Sequence, residues 1–250
     1  MSFNKFPPKP KFDPDDGPVY LYGVHTVRAA LDNPRRIKRT LLATPNALAR
    51  LSESGGTGKV PITETTPKEL DRLLGGEAVH QGLALEVDPV SRFGLDDLKG
   101  AQLLVVLDQV TDPHNVGAIL RTACAFGADA VLTTARYAPR ETGVMAKSAS
   151  GALDLVPLVE VRNLGDAMET LKKRGMTLLG FDSEAETPLR PRADRTPIVI
   201  VLGAEGKGLR QRTRETCDEI VRLDMPGPIK SLNVSNAAAI ALFAVTAGRL

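Results

Sequence analysis

From Leu103 onward the chain repeats one pattern: short runs that are apolar on both faces, each followed by a stretch with helical spacing. The runs fall at 103–107, 130–133, 155–161, 176–181, 197–202 and 219–223. A strand apolar on one side can face water with the other. A strand apolar on both must be covered above and below, which helices between successive parallel strands do. The pattern therefore predicts an α/β fold with a parallel sheet. A final Ala-rich helix, from about Leu232 to Gly248, contains no charged residue. It belongs in a core or a subunit interface.

The earlier part of the chain reads differently. Residues 1–18 hold five prolines and almost no aliphatic side chains, a composition that predicts a disordered tail. Between Tyr20 and Val87 the spacing predicts helix at 26–31, strand at 37–43, helix at 45–51, a strand near Val60, helix at 67–74 and strand at 83–87. The segment "DPVSRFGLDDLKG" (88–100) reads as a linker with one helical turn. The expected organisation is a tail at 1–18, a small α/β domain at 19–88, a linker at 89–101 and a larger domain at 102–250.

Charge and cysteine usage narrow the function classes. With 32 basic and 30 acidic residues the formal charge is +2, which argues against a protein that coats nucleic acid by bulk charge but permits a local patch. The stretch "NPRRIKR" (33–39) supplies Arg35, Arg36, Lys38 and Arg39. It is either a solvated loop or a phosphate-contacting patch, since phosphate binding asks only for a few cations on one face. Cys124, Cys217 and three scattered histidines have neither metal-ligand nor disulfide spacing, so no metal is expected. No apolar run approaches the roughly 18 residues of a membrane span and no signal-peptide pattern opens the chain, so a soluble cytoplasmic protein is expected.

Three strand-to-loop stretches carry the polar residues. "DPHNVGAILRTA" (112–123) opens a helix predicted from Asn115 to Phe126, whose one charge is Arg121. Arg121 shares a face with Gly117, Ala118, Cys124 and Ala125, small residues that let a ligand or another backbone come close. "VLGAEGKGLR" (201–210) leaves a strand for a helix, the position at which open α/β sheets bind ligands. It matches neither the dinucleotide fingerprint nor the P-loop, and Glu205 opposes a phosphate cradle although Lys207 partly offsets it. "MPGPIKSLNVSNAAAIALF" (225–243) places Ser231 and Asn233 before the charge-free helix. Taken singly, Asn115, Ser231 and Asn233 read as helix caps.

Together, in this order and spacing, "DPHNVGAILRTA", "VLGAEGKGL" and "MPGPIKSLNVSNAAAI" resemble the three motifs of the SpoU (TrmH) family of RNA ribose 2′-O-methyltransferases, in the knotted SPOUT class. The likeness covers 103–250. Upstream, "YLYGVHTVRAAL" (20–31) and "HQGLALEV" (80–87) are similar to the small domain, itself like ribosomal protein L30e, that binds substrate in the 23S rRNA Gm methyltransferases. The resemblance implies a deep trefoil knot, an exception to the unknotted default, and a pocket for S-adenosylmethionine contacted by Gly203, Leu223 and Leu232. It implies a homodimer acting on RNA, 23S rRNA or else tRNA. Arg121 becomes the catalytic arginine, with Asn115, Glu205, Ser231 and Asn233 positioning it, the ribose and a phosphate. Whether Arg121 takes the hydroxyl proton or stabilises the developing alkoxide stays open, though guanidinium groups hold their protons firmly. A non-catalytic RNA-binding protein of the same fold and a nucleotide-binding enzyme using the 203–208 loop are the rival readings.

Overall fold

A computed structural model describes residues 19–90, 93–190 and 196–247. The tail expected at 1–18 and the helix end expected at Gly248 lie outside the described residues. In chain order the first elements are β1 (Val19–Tyr22), α1 (Val24–Asp32), β2 (Lys38–Ala43), α2 (Pro45–Glu53), β3 (Ile62–Glu64), α3 (Pro67–Leu74) and β4 (Leu83–Val87). Then follow β5 (Leu103–Asp108), α4 (Pro113–Ala125), β6 (Ala130–Thr134), α5 (Gly143–Ala149), β7 (Leu158–Val161), α6 (Leu164–Lys173) and β8 (Thr177–Phe181). The chain closes with β9 (Thr187–Pro188), β10 (Ile198–Gly203), α7 (Gln211–Thr216), β11 (Glu219–Arg222) and α8 (Val234–Thr246). The described residues form two compact units, one of 19–90 with 140–155 and one of 93–139 with 156–190 and 196–247. The expectation of contiguous segments did not include that excursion.

The first unit holds a four-stranded sheet in the order β1-β4-β2-β3. β4 pairs antiparallel with β1 and β2, whereas β2 and β3 run parallel. β1 was not expected from the sequence. It is four residues long and follows the proline-rich stretch, and it is held by pairing Leu21 opposite Leu85. The two middle helices start where their caps dictate: Thr44 accepts from the Ala47 amide, and Thr66 and Glu69 form a reciprocal capping box, each ahead of a proline.

The excursion at 140–155 belongs to this unit by chemistry as well as by contact. Thr142 caps α5, which buries Met145, Ala146 and Ala149. Arg36, only 3% exposed, donates from Nε and Nη2 to the two carboxylate oxygens of Asp154 at 2.8 and 2.9 Å. Its Nη1 reaches Glu141 Oε1 at 2.5 Å and the Asp88 carbonyl at 3.1 Å. Asn33 adds a bond to Asp154 at 2.9 Å. Burial opposes the charge on Arg36, but Glu141 and Asp154 outweigh it and raise its pKa. Burial also pushes the Glu141 carboxyl up, against the pull of Arg36.

This corrects the reading of 33–39 as a phosphate patch. Arg36 is inside the unit, gripping the excursion. Lys38 is half-buried, its Nζ donating to the carbonyls of Leu31 and Asn33 at 3.0 and 2.8 Å. Arg35 is half-buried too. Arg39 is the exposed member, and it already pairs with Asp88 at 2.6 Å.

The second unit is built on seven parallel strands in the order β7-β6-β5-β10-β8-β11-β9. On one face Leu104, Val106, Leu132, Val199 and Val201 pack with Leu164, Met168 and Leu171 of α6. Alternate residues such as Val105, Val131 and Ile200 are fully buried as well, on the side where α4 and α8 meet the sheet. That is why these runs are apolar on both faces. The expected run at 155–161 shortens to β7, because Ala152–Asp154 forms a 3-10 turn within the first unit.

Removing Arg36 tests the grip on the excursion. Arg36→Met should destabilise the first unit by about 3–5 kcal/mol in urea denaturation, since it strands two buried carboxylates. A loss below about 1 kcal/mol would mean the cluster contributes nothing net.

Candidate functional site

The register of the sheet sets the site. β10 lies between β5 and β8, with Gly203 opposite Asp108 at the carboxyl ends of the strands. Asp108 is fully buried and accepts from the Arg210 amide at 3.0 Å and from Arg210 Nε at 2.7 Å. The loop leaving β10 is thus tied back to the end of β5. Sequence reasoning passed over this pair, although an acidic residue closing an apolar run was the available signal.

α4 is capped by Asp112, which accepts from the His114 amide, and begins at Pro113. The helix expected from Asn115 therefore starts two residues earlier, and Asn115 is not its cap. Its side chain instead donates from Nδ2 to Glu205 Oε1 at 3.2 Å. Asn233 Nδ2 reaches the same oxygen at 2.7 Å and Asn115 Oδ1 at 2.9 Å, and the Val234 amide reaches Glu205 at 3.2 Å. Asn233 also caps α8, accepting from the Ser235 amide at 2.9 Å. Residues from all three sequence stretches thus converge on one carboxylate oxygen. An oxygen accepting from three N–H groups is held in place, so Glu205 organises the side chains around it.

Beside this triad lies a cavity of about 440 Å³. Gly203, Leu223 and Leu232 line it, as do Glu205 and Ser231. Phe181, Glu184 and Met225 line it as well; these had not been singled out, because nothing in their local sequence sets them apart. Lys230, another lining residue, donates to the Met225 carbonyl at 2.6 Å and folds the 225–230 loop on itself. Gly203 is constrained by close approach: a Cβ there would meet Gly208 backbone atoms at 2.2 Å. Arg121 is not brought to this cavity. It is exposed on α4, roughly 9 Å along the helix from Asn115 at 1.5 Å per residue, and has no ion-pair partner among the described residues.

Against this geometry, the sequence pattern of the SpoU rRNA Methylase family matches residues 102–243. The chain belongs to this family. Residues 20–93 match the pattern described as RNA 2'-O ribose methyltransferase substrate binding. Among curated relatives, the 23S rRNA (guanosine-2'-O-)-methyltransferase RlmB of Pseudomonas putida is 40% identical over 234 residues, 89% of this chain and 94% of that protein. Among solved structures, the SpoU methyltransferase AviRb of Streptomyces viridochromogenes in complex with the cofactor AdoMet superposes with a TM-score of 0.78 at 25% identity, covering 93% of this chain and 91% of that one. The TrmH/SpoU tRNA modifying enzyme of A. aeolicus covers only 59% of this chain, with a TM-score of 0.53 at 28% identity. In this SpoU chain the described residues contain no helix long and apolar enough to cross a membrane.

Gly203→Ala should open the loop of residues 203–209 rather than merely crowd it, because the neighbour is backbone. Hydrogen exchange at the Gly208 amide, bonded to Ala204 at 2.9 Å, should accelerate by at least tenfold, a change of about 1.4 kcal/mol in local opening. Unchanged protection would mean the close approach relaxes freely.

Proposed function

We propose that this chain is an S-adenosylmethionine-dependent ribose 2′-O-methyltransferase acting on a guanosine of 23S rRNA. The observation that carries the reading is the convergence of Asn115, Glu205 and Asn233 beside a cavity of cofactor size, in a chain of this family. Two features favour rRNA over tRNA. The first unit matches a substrate-binding pattern at 20–93, and the relative that acts on 23S rRNA aligns over 89% of the chain.

The cavity suits the cofactor by its donor set and shape. At about 440 Å³ it falls within the range of small-molecule sites. Leu223, Leu232, Val234 and Ala237 offer apolar walls, and the Gly203 backbone stands uncovered by a side chain. When bound, S-adenosylmethionine supplies an electrophilic methyl group on a sulfonium. The chain's own residues bind, orient and stabilise around it. Asn115 and Asn233, locked by Glu205, position the ribose, and Ser231 stands at the cavity edge for a flanking phosphate. Arg121, a cation on an exposed helix face, stabilises charge developing on the 2′-oxygen as it attacks.

Arg121 works there through a second subunit. α8 carries no charge, yet Ile240 and Phe243 are 45% and 58% exposed, and Phe243 meets Phe126 edge to face at the end of α4. Such a surface is suited to burial against another copy, so a homodimer is part of the proposal. The trefoil knot implied by the resemblance is carried with it. A cytoplasmic location follows from the substrate.

Arg121→Ala should all but abolish methyl transfer, with a loss of about 10²–10³-fold, of the size seen when an oxyanion-stabilising group is removed. Calorimetric affinity for S-adenosylmethionine should stay within several-fold, because Arg121 does not line the cavity. Parallel loss of both would make Arg121 structural. Mapping ribose methylation in total RNA after gene deletion tests the substrate. Loss of one 23S guanosine mark is expected; an intact 23S pattern with a missing tRNA mark would reverse the assignment.

A further inference from the structure

A second cavity, about 350 Å³, opens in the same unit where β6 and β7 end and α7 begins. Thr134, Arg136, Tyr137, Arg162, Arg210 and Arg212 line it. No step described above uses these side chains at this place.

Four guanidinium groups around one cavity repel each other unless carboxylates or a ligand neutralise them. Arg210 is paired with the buried Asp108, and Arg212 with Asp166. Arg136 and Arg162 are exposed and have no ion-pair partner among the described residues. Two positive charges are therefore left over. The Tyr137 ring holds part of the set in place, with the guanidinium of Arg136 5.5 Å and that of Arg210 5.9 Å from its centroid.

Behind the arginines, Thr134 belongs to the cavity wall. The residue is only 4% exposed, and its Oγ1 has no hydrogen-bond partner among the described residues. That oxygen is closed to solvent, so an occupant of the cavity meets the arginines and not this hydroxyl. The wall also includes the start of α6, a ten-residue helix capped by Asn163. The positive end of its dipole adds to the cationic wall, although Asp166 in the first turn and the Asn163 cap already take part of it. At Gly165 the Arg212 guanidinium lies so close that a Cβ would meet Nε at 2.6 Å, so the arginine packs directly on the helix start.

We propose that this cavity grips the phosphodiester backbone of the RNA substrate, taking successive phosphates at Arg136 and Arg162. The inference rests on the RNA methyltransferase reading and extends it to a contact outside the reacting site. Arginine forks match phosphate oxygens in bidentate fashion. The two unpaired arginines stand exposed at the cavity rather than enclosed in it, which suits a strand passing across more than a single trapped ion.

The test uses the full-length protein, the double variant Arg136→Ala/Arg162→Ala and a fragment of 23S rRNA. Both side chains are exposed and make no ion pair among the described residues, so the variant should fold, which circular dichroism and unchanged calorimetric affinity for S-adenosylmethionine would verify. RNA affinity should fall about tenfold, and the slope of log K against log salt should shrink by about 1.4, or about 0.7 for each single-strand phosphate no longer neutralised. KM for RNA should rise while kcat stays within about twofold. Arg136→Lys/Arg162→Lys should keep the salt slope and lose only part of the affinity. Unchanged RNA affinity and salt slope in the double alanine variant would overturn the proposal. So would displacement of the RNA by inorganic phosphate at matched ionic strength, which would mark a site for a free anion. A wild-type protein that methylates no RNA defeats the methyltransferase reading, and the RNA affinity of the double variant still decides the grip.

Discussion

The parallel pairing of β10 with β5, which sets Gly203 opposite Asp108, is the constraint on which the rest of the second unit depends. It places a strand from late in the chain against the first strand of the sheet, so the loop after β10 emerges beside the loop after β5. The buried Asp108 then ties Arg210 to the end of β5 and fixes both ends of the glycine-rich loop. Between those anchors Gly203 and Gly208 approach as backbone against backbone, an approach that a side chain at 203 would block.

From that pairing the chemistry follows. α4 starts at the end of β5 and α8 follows the loop after β11, so their first turns meet over the β10 loop. Glu205 sits at the meeting point, where its Oε1 gathers the two asparagine amides and the first amide of α8. A carboxylate held this firmly fixes the side chains around it, and fixed dipoles contribute more to a transition state than mobile ones. The arginines of the second cavity share the same anchor, since Arg210 belongs to both the Asp108 tie and the cationic wall.

The first unit depends on a different device. Arg36 clamps the 140–155 excursion through Asp154 and Glu141, and α5 supplies apolar side chains to the same core. Residues contributed by a distant part of the chain thus complete the unit. A chain cut at the linker would leave Met145, Ala146 and Ala149 without their cover.

The strands and helices of the second unit were legible in the sequence, because a sheet covered on both faces forces apolar runs that any reading of periodicity finds. So were the stretches that meet at the cavity, because Asn115, Glu205, Ser231 and Asn233 are polar residues where a strand gives way to a helix. Gly203, Leu223 and Leu232 were named as well, though only through the family's motif order. The rest waited on tertiary packing. Whether Asn115 caps a helix or bonds Glu205 depends on Asp112 capping first, and whether Arg36 meets a phosphate or Asp154 depends on a partner 118 residues away. β1 is too short to declare itself without β4. The cationic cavity gathers residues 134–137, 162–165 and 210–213, each ordinary in its own segment. Local periodicity records which face of an element is buried; the partner across that face is chosen by strand order, which no local pattern contains.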